Sequence, residues 1–493
     1  MSDARAGACP AVAVAESPHA TAKAGYTSPL MLRTLRDALR GTKIDYTTAP
    51  VGRAVIMLAV PMVVEMGMES IFAVADVFWV SHLGADAVAT VGLTESMMTL
   101  IYTAAMGLSI GATALVARRI GEGNPDGAAH VAGQSVVLGL AISAAIAVFG
   151  APYAPRLLRL MGATDAVVDT GSGFTRVMLG GNATVLLLFM LNAVFRGAGD
   201  AAIAMRVLML GNALNIVLGP CFIFGLGPFP ELGVTGAAVA TNIGRGTAVL
   251  FQLATLARGH GRVRLRWRDL PIDVGAMTSV LRLSGLGTFQ ILIGTASYIG
   301  LVRILSAFGS AALAGYTIGI RLILFALLPA WGISNAAATM VGQNLGARQP
   351  ERAERAVWTA ARYNMAFLGG IGIVFLVLAP AITSLFSTDP GVQPFAVGCL
   401  RIVSLGFVFY ACGMVLTSAF NGAGDTWTPT IINFFVFWLW EIPLAWWLAN
   451  HLGLGARGVF IALTVAYSSL AVVSAVIFRR GYLENPKSLT VSP

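Results

Sequence analysis

Apolar residues run along this chain in long blocks, broken by short clusters of Gly, Pro and charge, and each block reaches the roughly 20 residues that cross a bilayer as a helix. The blocks fall at 54–82, 88–118, 128–150, 170–195, 201–226 and 233–257, and again at 277–307, 312–343, 355–380, 395–420, 428–449 and 456–478. The pattern predicts an all-α polytopic membrane protein with twelve transmembrane helices in two six-helix lobes. Residues 1–50 are expected to form a disordered cytoplasmic tail in which Leu30 to Leu39 lies on the membrane surface as a short basic helix. The N-lobe then takes 51–259, a basic linker 260–274, the C-lobe 275–481, and a second tail 482–493.

The two halves repeat one another at an offset of 225 residues. Phe195-Arg-Gly-Ala-Gly-Asp200 returns as Phe420-Asn-Gly-Ala-Gly-Asp425, Gly107 to Pro125 returns as Gly332 to Pro350, and Leu83-Gly-Ala-Asp-Ala87 returns as Phe308-Gly-Ser-Ala-Ala312. Registered matches without drift mark an internal duplication. An even number of spans per half makes the repeats parallel, leaving a cavity between the lobes in which alternating access can operate.

Composition supports lipid as the solvent: 57% of residues are hydrophobic and 11% charged, against about 25% charged in soluble domains. The net charge of +9 gathers in alternate loops, with Arg262, Arg264, Arg266 and Arg268 in the linker, so it orients the chain and argues against nucleic-acid binding. The positive-inside rule puts Arg118, Arg119, Arg196, Arg206, Arg348, Arg352, Arg355, Arg479 and Arg480 on the cytoplasmic side with both termini, in a bacterial inner membrane; Arg156 and Arg159 are the exceptions. The four cysteines, Cys9, Cys221, Cys399 and Cys412, have neither metal-ligand spacing nor the density of a disulfide framework. No phosphate-binding loop, metal cluster or nucleophile elbow is present, which weakens ATP-driven pumping and membrane-embedded hydrolysis.

The chemistry concentrates on the first span, where Glu65, Glu69 and Asp76 fall within about 40° of one another on a helical wheel. A carboxylate at the bilayer centre costs about 2.5 to 3.5 kcal/mol, so the stripe must face protein or a wet cavity, where it can exchange protons as a coupled group; hydrogen-bonded packing is the plainer alternative. Glu95, Glu441 and Arg321 are further intramembrane charges, and a Glu95–Arg321 pair across the cavity is one arrangement the offset allows. At the offset Asp76 becomes Leu301 and Glu65 becomes Gln290, so ion chemistry is expected in the first half. Asn212, Asn215 and Gly219 share a face beside the kinking Pro220, suited to a polar site or to interhelical glue. Trp438, Trp440, Trp446 and Trp447 suit a wall for lipophilic cations or interfacial anchoring.

The run from Pro61 through Asp76 to Leu83-Gly-Ala-Asp-Ala87, the Gly342-Gln-Asn-Leu-Gly346 stretch and the paired Gly-Ala-Gly-Asp motifs resemble the multidrug and toxic compound extrusion (MATE) family over residues 50–480. The resemblance implies export of cationic or amphipathic small molecules in exchange for protons or sodium, without a cofactor, an ATPase subunit or a nucleic-acid partner, by a chain able to work as a monomer in the bilayer. It places Asp76, Asn192, Asn215 and Thr241 in the N-lobe site. Where many proton-coupled members carry a second aspartate this chain has Gly219, and Glu65 or Glu69 is expected to take its place. The seventh span offers Gln290 and Thr295 and the tenth no carboxylate, which favours protons over sodium. A lipid-linked oligosaccharide flippase of the same superfamily, a sodium antiporter and, remotely, a membrane enzyme are the alternatives.

Overall fold

A computed structural model describes residues 28–484, so the expected tail at 1–27, with Cys9, and the last residues of the chain lie outside it. The described chain is helical: α1 (Ser28–Arg40), α2 (Val51–Ser81), α3 (Ala85–Gly121), α4 (Pro125–Gly150), α5 (Ala154–Leu160), α6 (Asp165–Gly180), α7 (Ala183–Ala198), α8 (Ala201–Phe224) and α9 (Val234–Arg258) precede the linker. After it come α10 (Val274–Leu305), α11 (Ser310–Gly346), α12 (Pro350–Ser384), α13 (Gln393–Ser404), α14 (Phe407–Ala423), α15 (Trp427–Asn433), α16 (Ile442–Trp446) and α17 (Ala456–Glu484).

Among the described residues ten spans are long and apolar enough to cross a membrane, and α13 with α14 adds an eleventh that is bent by 58°. The twelfth expected span, α9, forms but is not among them, because Asn242, Arg245 and Gln252 interrupt its apolar character. Helix starts follow local chemistry. Asn124 accepts from the Gly127 N–H ahead of α4, Thr164 from Val167 ahead of α6, and Asp273 from Gly275 and Ala276 ahead of α10, satisfying donors that a first turn leaves open. The eleventh span instead switches to π-helix at Phe434–Glu441 and Trp447–His451, a widened turn with no counterpart in α8.

The duplication is visible in backbone as well as sequence. Gly199 and Gly424 end α7 and α14 in the left-handed conformation, with φ of 88° and 86°. Gly123 ends the corresponding turn after α3 with φ 71°, and its repeat equivalent Arg348 is the one non-glycine of positive φ among the described residues, at 57°. Arg348→Gly should therefore raise stability by about 1 kcal/mol, the cost of a left-handed side-chain-bearing residue, read as a higher melting temperature in detergent; an unchanged or lower value would show that the Arg348 side chain repays the strain.

Three buried cores organise the bundle. One joins α3, α4 and α6–α9, and another joins α10–α14 and α17. The third lies at the arginine-rich end and ties Tyr46 and the first half of α2, through Leu58 and Met62, to Ile333, Met340, Val357 and Phe420 of the second half. The first span is thus shared between lobes. Around this core glycines let backbones touch: a Cβ on Gly107 would stand 2.6 Å from Thr288 N, and one on Gly342 2.6 Å from the Ala117 Cβ. A Cβ on Gly121 would overlap the Gln343 carbonyl, and one on Gly346 the Arg118 carbonyl. Gln343 Nε2 donates to Gly197 O at 2.8 Å and Thr339 Oγ1 to Arg196 O at 3.1 Å. These contacts form a seam closing the lobes at the basic end.

Within the expected tail, the basic helix expected at Leu30 to Leu39 forms as α1, and residues 41–50 are not loose. Arg206 donates to the Leu39 and Arg40 carbonyls at the end of α1. Tyr46 Oη donates to Gly199 O at 3.0 Å, and Arg352 of α12 donates to the Tyr46 and Ala49 carbonyls. Arg262 of the linker donates to Ile44 O and stacks over the Tyr46 ring at 4.8 Å. Burial pushes the Tyr46 phenol up to about 12, so it stays a donor across the neutral range. The segment therefore straps both lobes across the seam.

Candidate functional site

Beyond the seam, Glu65 of α2 is 1% exposed, the Glu69 side chain 32% and Asp76 half-buried, while Glu95 of α3 is exposed. Each of the two deeper acids has a buried arginine. Glu65 Oε1 accepts from Asn192 Nδ2 at 3.1 Å and from Arg196 Nη1 at 3.3 Å, and Gln252 Nε2 donates to Asn192 Oδ1 at 2.5 Å. Glu65 Oε2 has no partner. Arg196, expected as a topological loop charge, lies inside α7 with its side chain 9% exposed.

Arg245 of α9 falls outside the expected site, although an arginine between Gly244 and Gly246 inside an otherwise membrane-like helix is a signal that could have found it. Arg245 Nη2 lies 3.4 Å from Glu69 Oε1, and its Nη1 donates to Tyr102 Oη at 2.9 Å. Its guanidinium sits 5.1 Å from the Phe72 ring centroid and 5.7 Å from that of Tyr102, a cation held between aromatic faces. Asp76 and Glu95 both lie within electrostatic reach of Arg245, and Asp76 within reach of Glu95. Among the described residues neither forms an ion pair.

The amides divide by role. Asn215 Nδ2 donates to Thr241 Oγ1 at 2.8 Å, bringing those two expected site residues together between α8 and α9. Asn192 belongs to the Glu65 network. Asn212 donates to Met68 O at 3.2 Å and so acts as glue between α8 and α2, not as a cavity group. Gly219, at the position of the missing acid, has only Trp79 within reach of an added Cβ.

The Glu95–Arg321 pair does not form. The close approaches of α3 to α11 are Ala117 to Gly342 and Arg118 to Gly346, far along both helices from these side chains, and Arg321 is exposed, within electrostatic reach of Tyr298 of its own lobe. Gln290 is buried in α10 with Oε1 unpartnered. Glu441, 1% exposed on the π-helical stretch, sits within electrostatic reach of Tyr316, Tyr410 and Tyr467 and also has an unpartnered oxygen. It belongs to the second half's interior and not to the acids of the first half. Trp440, Trp446 and Trp447 are exposed and donate no side-chain hydrogen bond among the described residues, as lipid-facing anchors would be, with the Trp446 ring 5.6 Å from that of His451, whereas Trp438 Nε1 donates to Ile293 O at 3.1 Å. No group of three metal-ligating side chains occurs among the described residues.

Comparison with known proteins agrees with this architecture. The MatE family model matches residues 61–221 and 288–447, one block in each half and more than half of the chain. The chain is 27% identical over 445 residues to a probable multidrug resistance protein NorM of Thermotoga maritima, covering 89% of this chain and 94% of that one. It is 24% identical to an FAD transporter of Shewanella oneidensis, covering 88% and 95%. Among solved structures it superimposes with a TM-score of 0.83 on an outward-facing multidrug resistance MATE family transporter, at 28% identity and covering 90% and 98%. The TM-score is also 0.83, at 27% identity and covering 92% and 98%, for a MOP superfamily transporter from Pyrococcus furiosus described as having a binding pocket of reverse polarity. With two duplicated lobes, a glycine seam and the family match in both halves, this multi-pass membrane protein belongs to the MATE family of transporters.

Proposed function

We propose that the chain is a proton-coupled antiporter exporting cationic or amphipathic small molecules from the bacterial cytoplasm by alternating access. The observation that carries this reading is the pair of carboxylates left over once the deep ion pairs are made. Glu65 and Glu69 are neutralised by Arg196 and Arg245, whereas Asp76 and Glu95 share the field of one arginine without pairing. A cationic cargo can replace the missing partner. Protons can take its place when it leaves, so the two occupants exclude one another.

The positive-inside rule makes the basic end cytoplasmic. The seam then closes the cytoplasmic side, and the outward gradient of exposure from Glu65 to Glu95 reads as a cleft open to the exterior. Glu69 sits beside Arg245 and so positions it, while Glu65, 1% exposed and paired with Arg196, is too deep to be the missing second acid.

The test is uptake or release of a fluorescent organic cation in proteoliposomes under an imposed pH gradient. Wild type should move the dye only with the gradient, and Asp76→Asn should lose at least about tenfold of that rate, the scale expected when a charged contact worth about 1.5 kcal/mol or more is removed. Gradient-driven transport that survives in Asp76→Asn would overturn the assignment. A response to sodium alone would replace the proton, and transport of an anionic flavin nucleotide in place of cations would shift the cargo toward that named for the Shewanella relative.

A further inference from the structure

The helix ahead of the first span presents three faces with three different chemistries. At 100° per residue, Thr34 and Ala38 point into the protein, where both are buried, and Asp37 on that side pairs with Arg53 at 3.1 Å. Met31, Leu32 and Leu39 occupy a neighbouring arc and are exposed, Leu32 to 67%. Arg33, Arg36 and Arg40 occupy the next arc, are exposed, and form no ion pair among the described residues.

Its level relative to the spans is fixed by two contacts. Arg53 stands in the first turn of α2, and Arg206, which binds the last carbonyls of α1, stands five residues into α8, about 8 Å from that span's start. That is the depth of the headgroup and upper acyl region, where an amphipathic helix lays apolar side chains into lipid and raises basic ones toward phosphate. A helix bound for water would not leave leucines uncovered at this level. One bound for a neutral surface would not need three unpaired guanidinium groups beside them.

We propose that α1 is a docking surface for the membrane itself, binding anionic phospholipid headgroups of the leaflet at the basic end through Arg33, Arg36 and Arg40. The occupant is argued by charge complementarity. Three unpaired cations adjoin an apolar arc at interfacial depth, and each basic residue near an anionic surface contributes on the order of 1 kcal/mol. Residues 41–50, which strap the seam, begin at the end of this helix, so the lipid contact holds the strap's leading edge in place.

The experiment places a bimane label on Leu32→Cys in the full chain with its four native cysteines replaced, reconstituted in vesicles of phosphatidylcholine and phosphatidylglycerol at 3:1. Brominated phosphatidylglycerol should quench the label about twofold or more better than brominated phosphatidylcholine at equal mole fraction, as local enrichment by three cations requires. Arg33→Gln, Arg36→Gln and Arg40→Gln together should abolish the preference, and the triple lysine variant should keep it because the attraction is Coulombic. Equal quenching by both lipids in the unsubstituted helix would reduce α1 to an apolar anchor and overturn the proposal. Absence of quenching by either lipid would also overturn it, placing the surface against a soluble partner.

Discussion

Arg196→Met should be among the most destabilising single substitutions in the protein, costing about 3 to 5 kcal/mol because it strands a buried carboxylate. Glu65 is 1% exposed, already has one oxygen without a partner, and would retain only the Asn192 amide. Glu65→Gln alone leaves the opposite charge stranded. The double variant removes both and should recover most of the loss, since a neutral pair of similar volume avoids the desolvation cost altogether. Thermal unfolding in detergent, run as a double-mutant cycle, reads the coupling directly. Losses that simply add would show that the two charges do not depend on one another and that the deep end of the acidic stripe is held by its amides.

Forcing the seam apart should have an effect of comparable size on transport and little on folding. Gly121→Val places a branched side chain against the Gln343 carbonyl. Overpacking of about 1 to 3 kcal/mol, applied to the closed state alone, shifts the balance between closed and open seam by roughly 5- to 150-fold. A cysteine substituted for Thr339, buried within the seam, should then react faster with a hydrophilic maleimide by a similar factor, and gradient-driven transport should fall. Gly92→Val on the same helix, where an added Cβ meets nothing within 4 Å, is the matched control. Equal labelling in the two variants would mean that the strap across residues 41–50, and not the glycine contacts, sets the closed state.

Much of this architecture is legible in the amino-acid sequence. The spans are readable because bilayer thickness imposes one length on every helix, and the duplication because three motifs keep one offset. The stripe of Glu65, Glu69 and Asp76 is readable because spacing along a single helix is local information. What answers those acids is not. Arg196 looks like a cytoplasmic marker because it stands three residues before a loop, and nothing local says that its side chain turns back into the lobe. Arg245 breaks the apolar run of α9 openly, yet its partner lies on α2, and pairing between distant helices has no sequence period. Asn212 and Asn215 share a face and still divide, one gluing α8 to α2 and the other meeting Thr241. The π-helical turns at Phe434–Glu441 have no local signal in a run of aromatic residues. The ordering of residues 28–50 comes from Arg206, Arg262 and Arg352, each far away in the chain.

The arginine clamped between Phe72 and Tyr102 also limits the electrical behaviour of the transporter. Its charge is permanent, as is that of Arg196, so the four carboxylates of the cleft stand against two fixed cations and carry at most two negative charges in excess. In the proposed exchange of protons for cations, a cycle that only neutralises this excess trades at most two positive charges. A dication leaving against two entering protons moves no net charge, and the membrane voltage does no work on it. A monocation leaving against two protons carries one charge inward, and each 100 mV of potential adds about 2.3 kcal/mol to its export.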